Sequence, residues 1–148
     1  MSGPRRLQRP AAAGDRGHLL AIGILLDTHA FLWAITDDRR LTRQARRMLE
    51  TADLFLSVAS LWEIITKVQI GKLPLPEPPS KYLPQHVAAL GARLLAINAA
   101  HVLRLETLPL HHRDPFDRLL VAQSLEEKLP LLSCDTLLAP YGADIRWE

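Results

Sequence analysis

The order of the apolar segments predicts an α/β fold, a parallel sheet with helices covering both of its faces. Two observations carry that expectation. Ile22 to Leu26 is a short continuous apolar run, the pattern of a strand buried on both sides. After it, helix-like and strand-like segments alternate to the end of the chain. A length of 148 residues suits one domain, and 48% hydrophobic residues against 23% charged can fill one core. That balance argues against a chain disordered throughout.

The elements come in order along the chain. Thr28 to Ile35 reads as a short helix after the first strand. Leu41, Ala45, Met48 and Leu49 recur at helical spacing, with Arg39, Arg43, Arg46 and Arg47 mostly away from them. Leu54 to Val58 reads as the second strand. Leu61, Ile64, Ile65 and Val68 fall at i, i+3, i+4 and i+7, the stripe of another helix. Four prolines between Gly71 and Pro79 mark a loop, and a helix comes next, to about Leu90. Arg93 to Ile97 is a strand, Asn98 begins a helix, and a loop surrounds Pro109. Pro115 opens a helix running to about Lys128. Leu131 to Ser133 is a strand, and Ile145 to Trp147 is a candidate last one. No internal repeat and no second domain is visible.

Charge is placed unevenly. Arg5, Arg6, Arg9 and Arg16 face only Asp15 within residues 1–18, so the remainder carries 14 basic and 15 acidic groups. The basic pI of 9.0 therefore belongs to the front of the chain, and a nucleic-acid reading must rest on a local site. Residues 1–21, rich in Pro, Gly, Ala and Arg, read as a basic disordered tail, and 22–148 as the folded domain. Leu19 to Leu26, apolar apart from Gly23, invites a signal-peptide reading. No small-residue cleavage site lies cleanly behind it, and the run is too short to span a membrane. One cysteine, Cys134, rules out an internal disulfide framework, and no Cys/His spacing suits structural zinc. A reducing cytoplasm is the expected compartment.

In open parallel sheets, function collects at the carboxyl ends of the strands. Four acids fall there. Asp27 ends the first strand, Glu63 opens the helix after the second, Asp117 lies in the turn opened by Pro115, and Asp135 comes just after the strand at Leu131. Each has an ordinary alternative. Ser60-Leu61-Trp62-Glu63 is a capping-box pattern. Asp114-Pro115-Phe116-Asp117 reads as N-cap, N1 proline and a first-turn acid. Asp27 and Asp135 are equally suited to cap the elements they precede. Together, though, four ionised carboxylates on one edge repel one another and require a cation. A hard divalent ion with oxygen ligands, Mg²⁺ or Mn²⁺, meets that need. Spacing alone leaves their convergence open.

The motifs Ile24-Leu25-Leu26-Asp27-Thr28-His29, Leu61-Trp62-Glu63-Ile64, Gly71-Lys72-Leu73 and His112-Arg113-Asp114-Pro115-Phe116-Asp117-Arg118-Leu119-Leu120-Val121-Ala122-Gln123 occur in that order. Ser133-Cys134-Asp135 and Tyr141-Gly142 complete the series. The series resembles the PIN-domain ribonucleases, specifically the VapC toxins of bacterial type II toxin–antitoxin systems, over about residues 22–148. The resemblance implies a three-layer α/β/α fold with a central parallel sheet and Mg²⁺- or Mn²⁺-dependent endonucleolytic cleavage of RNA. It also implies a VapB-like antitoxin partner and assembly as a homodimer or toxin–antitoxin hetero-oligomer. Carried over by position, the acidic quartet is Asp27, Glu63, Asp117 and Asp135, with Asp114 a possible fifth member. Ser133 stands where such proteins usually carry a Thr or Ser hydroxyl. The departure is the amino-terminal tail, since these toxins typically start almost at the first strand.

On that reading Asp27 and Asp117 bind the metal directly, while Glu63 and Asp135 act through water or a second ion. A metal-activated water then attacks in line, leaving 5′-phosphate and 3′-hydroxyl ends. No nucleophilic side chain is needed, and no Ser/His/Asp or Cys/His arrangement is present. Arg113 and Arg118 are candidates for holding RNA phosphates, or a solvated helix end. Lys67 either pairs with Glu63 at i, i+4 or serves the site. Arg39, Arg40, Arg43, Arg46 and Arg47 form either a phosphate-binding stripe or a solvated helix face. His111 and His112 read as loop residues, and Trp33 and Trp62 as packing or the border of an antitoxin groove. An acidic pocket suits an antitoxin arginine, with the loop Gly71 to Pro79 a candidate wall of that groove.

Two other functions compete. A PIN-like fold without catalysis would be only a protein-binding module, and the presence of all four acids argues against it. A phospho-acceptor receiver or aspartyl phosphatase also places acids at strand ends. The phosphatase needs a second Asp two residues after the first, where His29 stands. The receiver needs paired acids after its first strand and a lysine after its last, and neither is evident.

Overall fold

The computed structural model describes residues 21–110 and 114–148. All of the anticipated tail except Ala21, and also His111, His112 and Arg113, lie outside the described residues. The strands are β1 (Gly23–Leu26), β2 (Asp53–Ser57), β3 (Arg93–Leu95), β4 (Leu131–Leu132) and β5 (Ile145–Arg146). The helices are α1 (Thr28–Thr36), α2 (Arg43–Thr51), α3 (Val58–Gln69), α4 (Pro79–Leu90), α5 (Ala99–Arg104) and α6 (Pro115–Glu127). Two 3₁₀ turns, Leu105–Thr107 and Thr136–Tyr141, complete the described elements.

All five strands are parallel, in the order β3-β2-β1-β4-β5. The central strand is the apolar run that the sequence singles out. Its side chains alternate between two cores, as the period of two demands. Ile24 and Leu26 join Phe31, Leu49, Leu54, Leu56, Ile64 and Leu83, which come from β2 and α1 to α4. Leu25 joins Leu119, Leu120, Val121, Leu131 and Leu138, which come from α6, β4 and the second 3₁₀ turn. This is the three-layer α/β/α arrangement. Each of these leucines that is fully buried contributes about 1.5–3 kcal/mol relative to exposure.

The boundaries differ in ways that matter for the site. Ile22 is left outside β1 and is mostly exposed. β2 ends at Ser57, one residue before the expected limit, because the Ser57 hydroxyl accepts the Ala59 N–H at 3.0 Å and starts α3. Ser60 is therefore inside the helix, and the expected capping box of Ser60 and Glu63 does not form. Glu63 lies in the second turn and makes longer-range contacts. β3 stops at Leu95 rather than Ile97, and the Ala96 carbonyl accepts from the Gln123 amide at 3.3 Å. Asn98 does begin α5, in a capping box with His101. Gly91 closes α4 at φ 73°, the left-handed region that glycine enters without steric cost.

Candidate active site

The site grows from the pairing of β1 with β4. Leu26 lies opposite Leu132, and the Asp27 N–H continues the ladder to the Leu132 carbonyl at 3.0 Å. Asp27 thus leaves the sheet beside Ser133. It caps α1, accepting the Ala30 N–H at 2.6 Å. The buried Ser133 hydroxyl also bonds the Asp27 carboxyl, and accepts the Asp135 N–H at 3.1 Å. One hydroxyl thereby ties the ends of two adjacent strands. Asp135 in turn caps the second 3₁₀ turn, accepting the Leu137 N–H at 2.9 Å.

The other half of the edge is built on α3. Glu63 is buried, only 3% exposed, and both its oxygens are engaged. Thr28 Oγ1 lies 2.6 Å from Glu63 Oε1 and 3.0 Å from Ser60 Oγ. A hydroxyl has one proton, and the shorter contact to the carboxylate claims it, so Ser60 serves the other contact. Lys67 Nζ lies 2.7 Å from Glu63 Oε2, which supplies the countercharge that a buried carboxylate requires. The i, i+4 pairing of Lys67 is thus real and sits within the site. Thr28 was not singled out in the sequence, although its hydroxyl comes directly after Asp27 in the Asp-Thr-His block.

Asp117 comes from α6. Asp114 caps that helix, accepting the N–H groups of Phe116 at 2.8 Å and Asp117 at 3.4 Å, with Pro115 at the first helical position. The rings of Phe116 and Trp62 meet edge to face at 4.9 Å. That contact holds the start of α6 against α3, one residue ahead of Asp117 and one ahead of Glu63. Arg118, a candidate phosphate ligand, donates through Nη2 to the carbonyls of Leu105 and Leu108 at 3.3 and 3.1 Å and so braces the 3₁₀ turn. Arg113 lies outside the described residues.

Electrostatics set Asp27 apart. Burial pushes its carboxyl above the usual carboxylate range, opposed by the Ser133 hydroxyl, the Ala30 N–H and His29, and reinforced by Glu63. The exposed Cys134 thiol is pushed up first by burial and then by Asp27, with Asp135 adding to the effect and Arg40 opposing it. Asp27, Cys134, Asp135 and Arg40 therefore share one neighbourhood. Among the described residues, no three His, Cys, Asp or Glu side chains form a ready-made metal cage. The donors are nonetheless all hard carboxylate oxygens. Such a set suits Mg²⁺ or Mn²⁺ held by one or two carboxylates, with water and phosphate completing the shell.

Comparison with known proteins places the chain in a family. The PIN domain model matches residues 24–142. Ribonuclease VapC16 of Mycobacterium tuberculosis is 34% identical over 68 residues, 46% of this chain and 45% of that protein. The chain thus spans about half the length of this curated relative. VapBC2 from Rickettsia felis, solved bound to a DNA fragment from its promoter, superposes with a TM-score of 0.66 at 13% identity, covering 86% of this chain and 100% of that one. A toxin–antitoxin complex from Klebsiella pneumoniae gives a TM-score of 0.52 at 15% identity, covering 76% and 87%. At those identities the two structures speak for the fold. The matched span runs from β1 through every acid of the edge to Gly142, and the chain belongs to the PIN-domain family.

Proposed function

We propose that this chain is an endoribonuclease dependent on Mg²⁺ or Mn²⁺, acting as the toxin of a toxin–antitoxin pair. The observation that carries the reading is the continuous chain of contacts along the strand ends. It runs from Asp135 through Ser133 to Asp27, and from the adjacent Thr28 to Glu63. A fold that needed these acids only as helix caps has no use for a buried Glu63 that caps nothing. The ribonuclease name of the relative, matched over 45% of its length, agrees with it.

Asp27 and Asp117 are assigned to hold the ion directly, and Glu63 and Asp135 to hold it through water or a second ion. When bound, the ion supplies a water of lowered pKa and offsets the charge developing on the phosphate. The chain's own residues do the positioning. Ser133 and the Ala30 N–H fix the Asp27 carboxyl, Thr28 and Lys67 fix Glu63, and the Asp114 cap fixes the first turn that carries Asp117. Cleavage by water leaves 5′-phosphate and 3′-hydroxyl ends and requires no nucleophilic side chain. An acidic edge of this kind also suits an inhibitory arginine from a VapB-like antitoxin. The second reading, a protein-binding module without catalysis, is kept as the alternative outcome of the test.

The test is RNA cleavage by the full chain, free of antitoxin, in Mg²⁺ or Mn²⁺ and in EDTA, beside folded Asp27→Asn. We expect cutting that EDTA abolishes and Asp27→Asn lowers by roughly a hundredfold or more. Cutting that persists in EDTA overturns the metal role. No cutting, together with no divalent ion bound in calorimetry, leaves the binding module.

A further inference from the structure

The edge that carries the acids also carries a basic corner, and we infer that this corner holds the bases and phosphates of a single-stranded RNA passing through the site. The inference rests on the ribonuclease reading and names the residues beside the site that receive the strand.

The corner is the connection from α1 to α2 together with the first two turns of α2, and it sorts its five arginines into two sets. Arg46 is tied down, pairing with Asp37 and donating to the Asp38 carbonyl at 3.0 Å. Asp37 itself closes α1 at φ 51°, a conformation uncommon for a residue with a Cβ. Arg40 forks onto Asp38, with Nε to Oδ1 at 2.9 Å and Nη2 to Oδ2 at 2.8 Å. Arg39, Arg43 and Arg47 are exposed and make no ion pair among the described residues.

Arg40 is the unusual member. Its guanidinium lies 4.4 Å over the ring of Trp33. Trp33 in turn meets Trp147 edge-on and His29 at a tilt, each at 5.7 Å. The guanidinium therefore sits against the indole and is held there by the Asp38 carboxylate. The side chain is still 65% exposed. A guanidinium held in place yet mostly exposed is a platform for a nucleobase, which stacks on guanidinium as it does on an aromatic ring. Beyond it, Arg43 and Arg47, one turn apart, line a cleft of about 360 Å³ with Thr42, Gln44 and Glu148. Glu148 faces the two arginines of this lining, and Arg39 adds a further exposed guanidinium outside it.

The corner belongs to the same edge as the acids. His29 is two residues beyond Asp27. Thr42 donates to the Trp147 carbonyl at 2.8 Å, one residue past the carboxyl end of β5. Cys134, between Ser133 and Asp135, feels Arg40 as well as Asp27 and Asp135. Arg40 thus neighbours the acids through Cys134, and Thr42, next to Arg43, is tied to the residue after β5. A duplex keeps its bases stacked inside and offers nothing to that platform, whereas a single strand offers both bases and phosphates.

The test is binding of the full chain, in EDTA so that no cleavage intervenes, to a labelled unstructured single-stranded RNA and to its duplex. Fluorescence anisotropy is read across a salt series, and each variant is checked for folding by circular dichroism. Arg43→Gln with Arg47→Gln is expected to flatten the slope of log affinity against log salt by about 1.4, two phosphates at roughly 0.7 each. Arg40→Lys keeps the charge and loses the plane, and is expected to weaken single-strand binding by roughly fivefold or more without that change in slope. The duplex is expected to bind more weakly than the single strand. An unchanged slope in the double variant, or a duplex bound as tightly as the single strand, overturns the inference. Wild-type protein that cuts RNA while its variants bind like wild type removes the corner and leaves the nuclease. Protein that binds as expected but cuts nothing with Mg²⁺ or Mn²⁺ removes the nuclease and leaves the corner.

Discussion

Burial governs the chemistry of Asp27, and the consequence is measurable. Its folded-state pKa is raised above the ordinary value near 3.8. The stabilisation tied to its protonation is therefore complete below that value and is lost as pH rises through the folded value. At neutral pH and without metal, the buried charge opposes folding. Asn caps a helix as well as Asp does, so Asp27→Asn should raise the melting temperature at pH 7 in EDTA. The gain should shrink as the pH is lowered into the range where Asp27 takes up its proton. Melts monitored by circular dichroism at several pH values check this, and a gain that grows on acidification would contradict it. Thr28→Val tests the other half of the edge. It leaves Glu63 Oε1 without its donor in a buried position and should cost about 1–3 kcal/mol, read from urea midpoints. At this scale the acids could be named as candidates, because strand ends and helix starts can be read locally. The pairing of Thr28 with Glu63 could not, because the two lie 35 residues apart, and Ser60 reads locally as a helix cap only.

The start of an element decides which way its side chains face, and α3 and α6 illustrate the two outcomes. For α6 the sequence carried the whole device: Asp114 as cap, Pro115 at the first position and Asp117 in the first turn. Asp114→Ala should therefore lower stability by about 0.5–2 kcal/mol in urea unfolding, and Asp114→Asn should lose far less. Equal losses would show that the charge, and not the cap, is what counts. For α3 two serines, Ser57 and Ser60, each offered a cap. The choice depended on where β2 ended, which is set by its pairing with β1 and β3, Leu56 opposite Leu26 and Ser57 opposite Leu95. Local patterning carries no record of that register. Shifting the helix start by three residues moved Glu63 from a cap into the second turn, where Lys67 and Thr28 hold it.

At the scale of the whole molecule, β1 is the shared wall of both cores. Leu26 belongs to one and Leu25 to the other, and both are fully buried. Leu25→Ala and Leu26→Ala should each cost about 2–5 kcal/mol. Because the central strand couples the layers, circular dichroism and tryptophan fluorescence should report one common urea midpoint in either variant. Separate midpoints would mean that the two cores unfold independently. Among the described residues no helix is long and apolar enough to cross a membrane, and Gly23–Leu26 of the apolar run form β1.

The sequence by itself determined the alternation of strands and helices, a first strand buried on both faces within the Ile22 to Leu26 run, and the candidacy of Asp27, Glu63, Asp117 and Asp135. These rest on periodicity, burial and capping, which act over a few residues. The tertiary structure alone decided the order β3-β2-β1-β4-β5, and with it that Ser133 would lie beside Asp27. It also decided that the Arg40 guanidinium would lie over the Trp33 ring while Arg43 and Arg47 make no ion pair among the described residues. Strand order and register are set by how two apolar faces fill two cores at once, a global packing condition that no local stretch of sequence encodes.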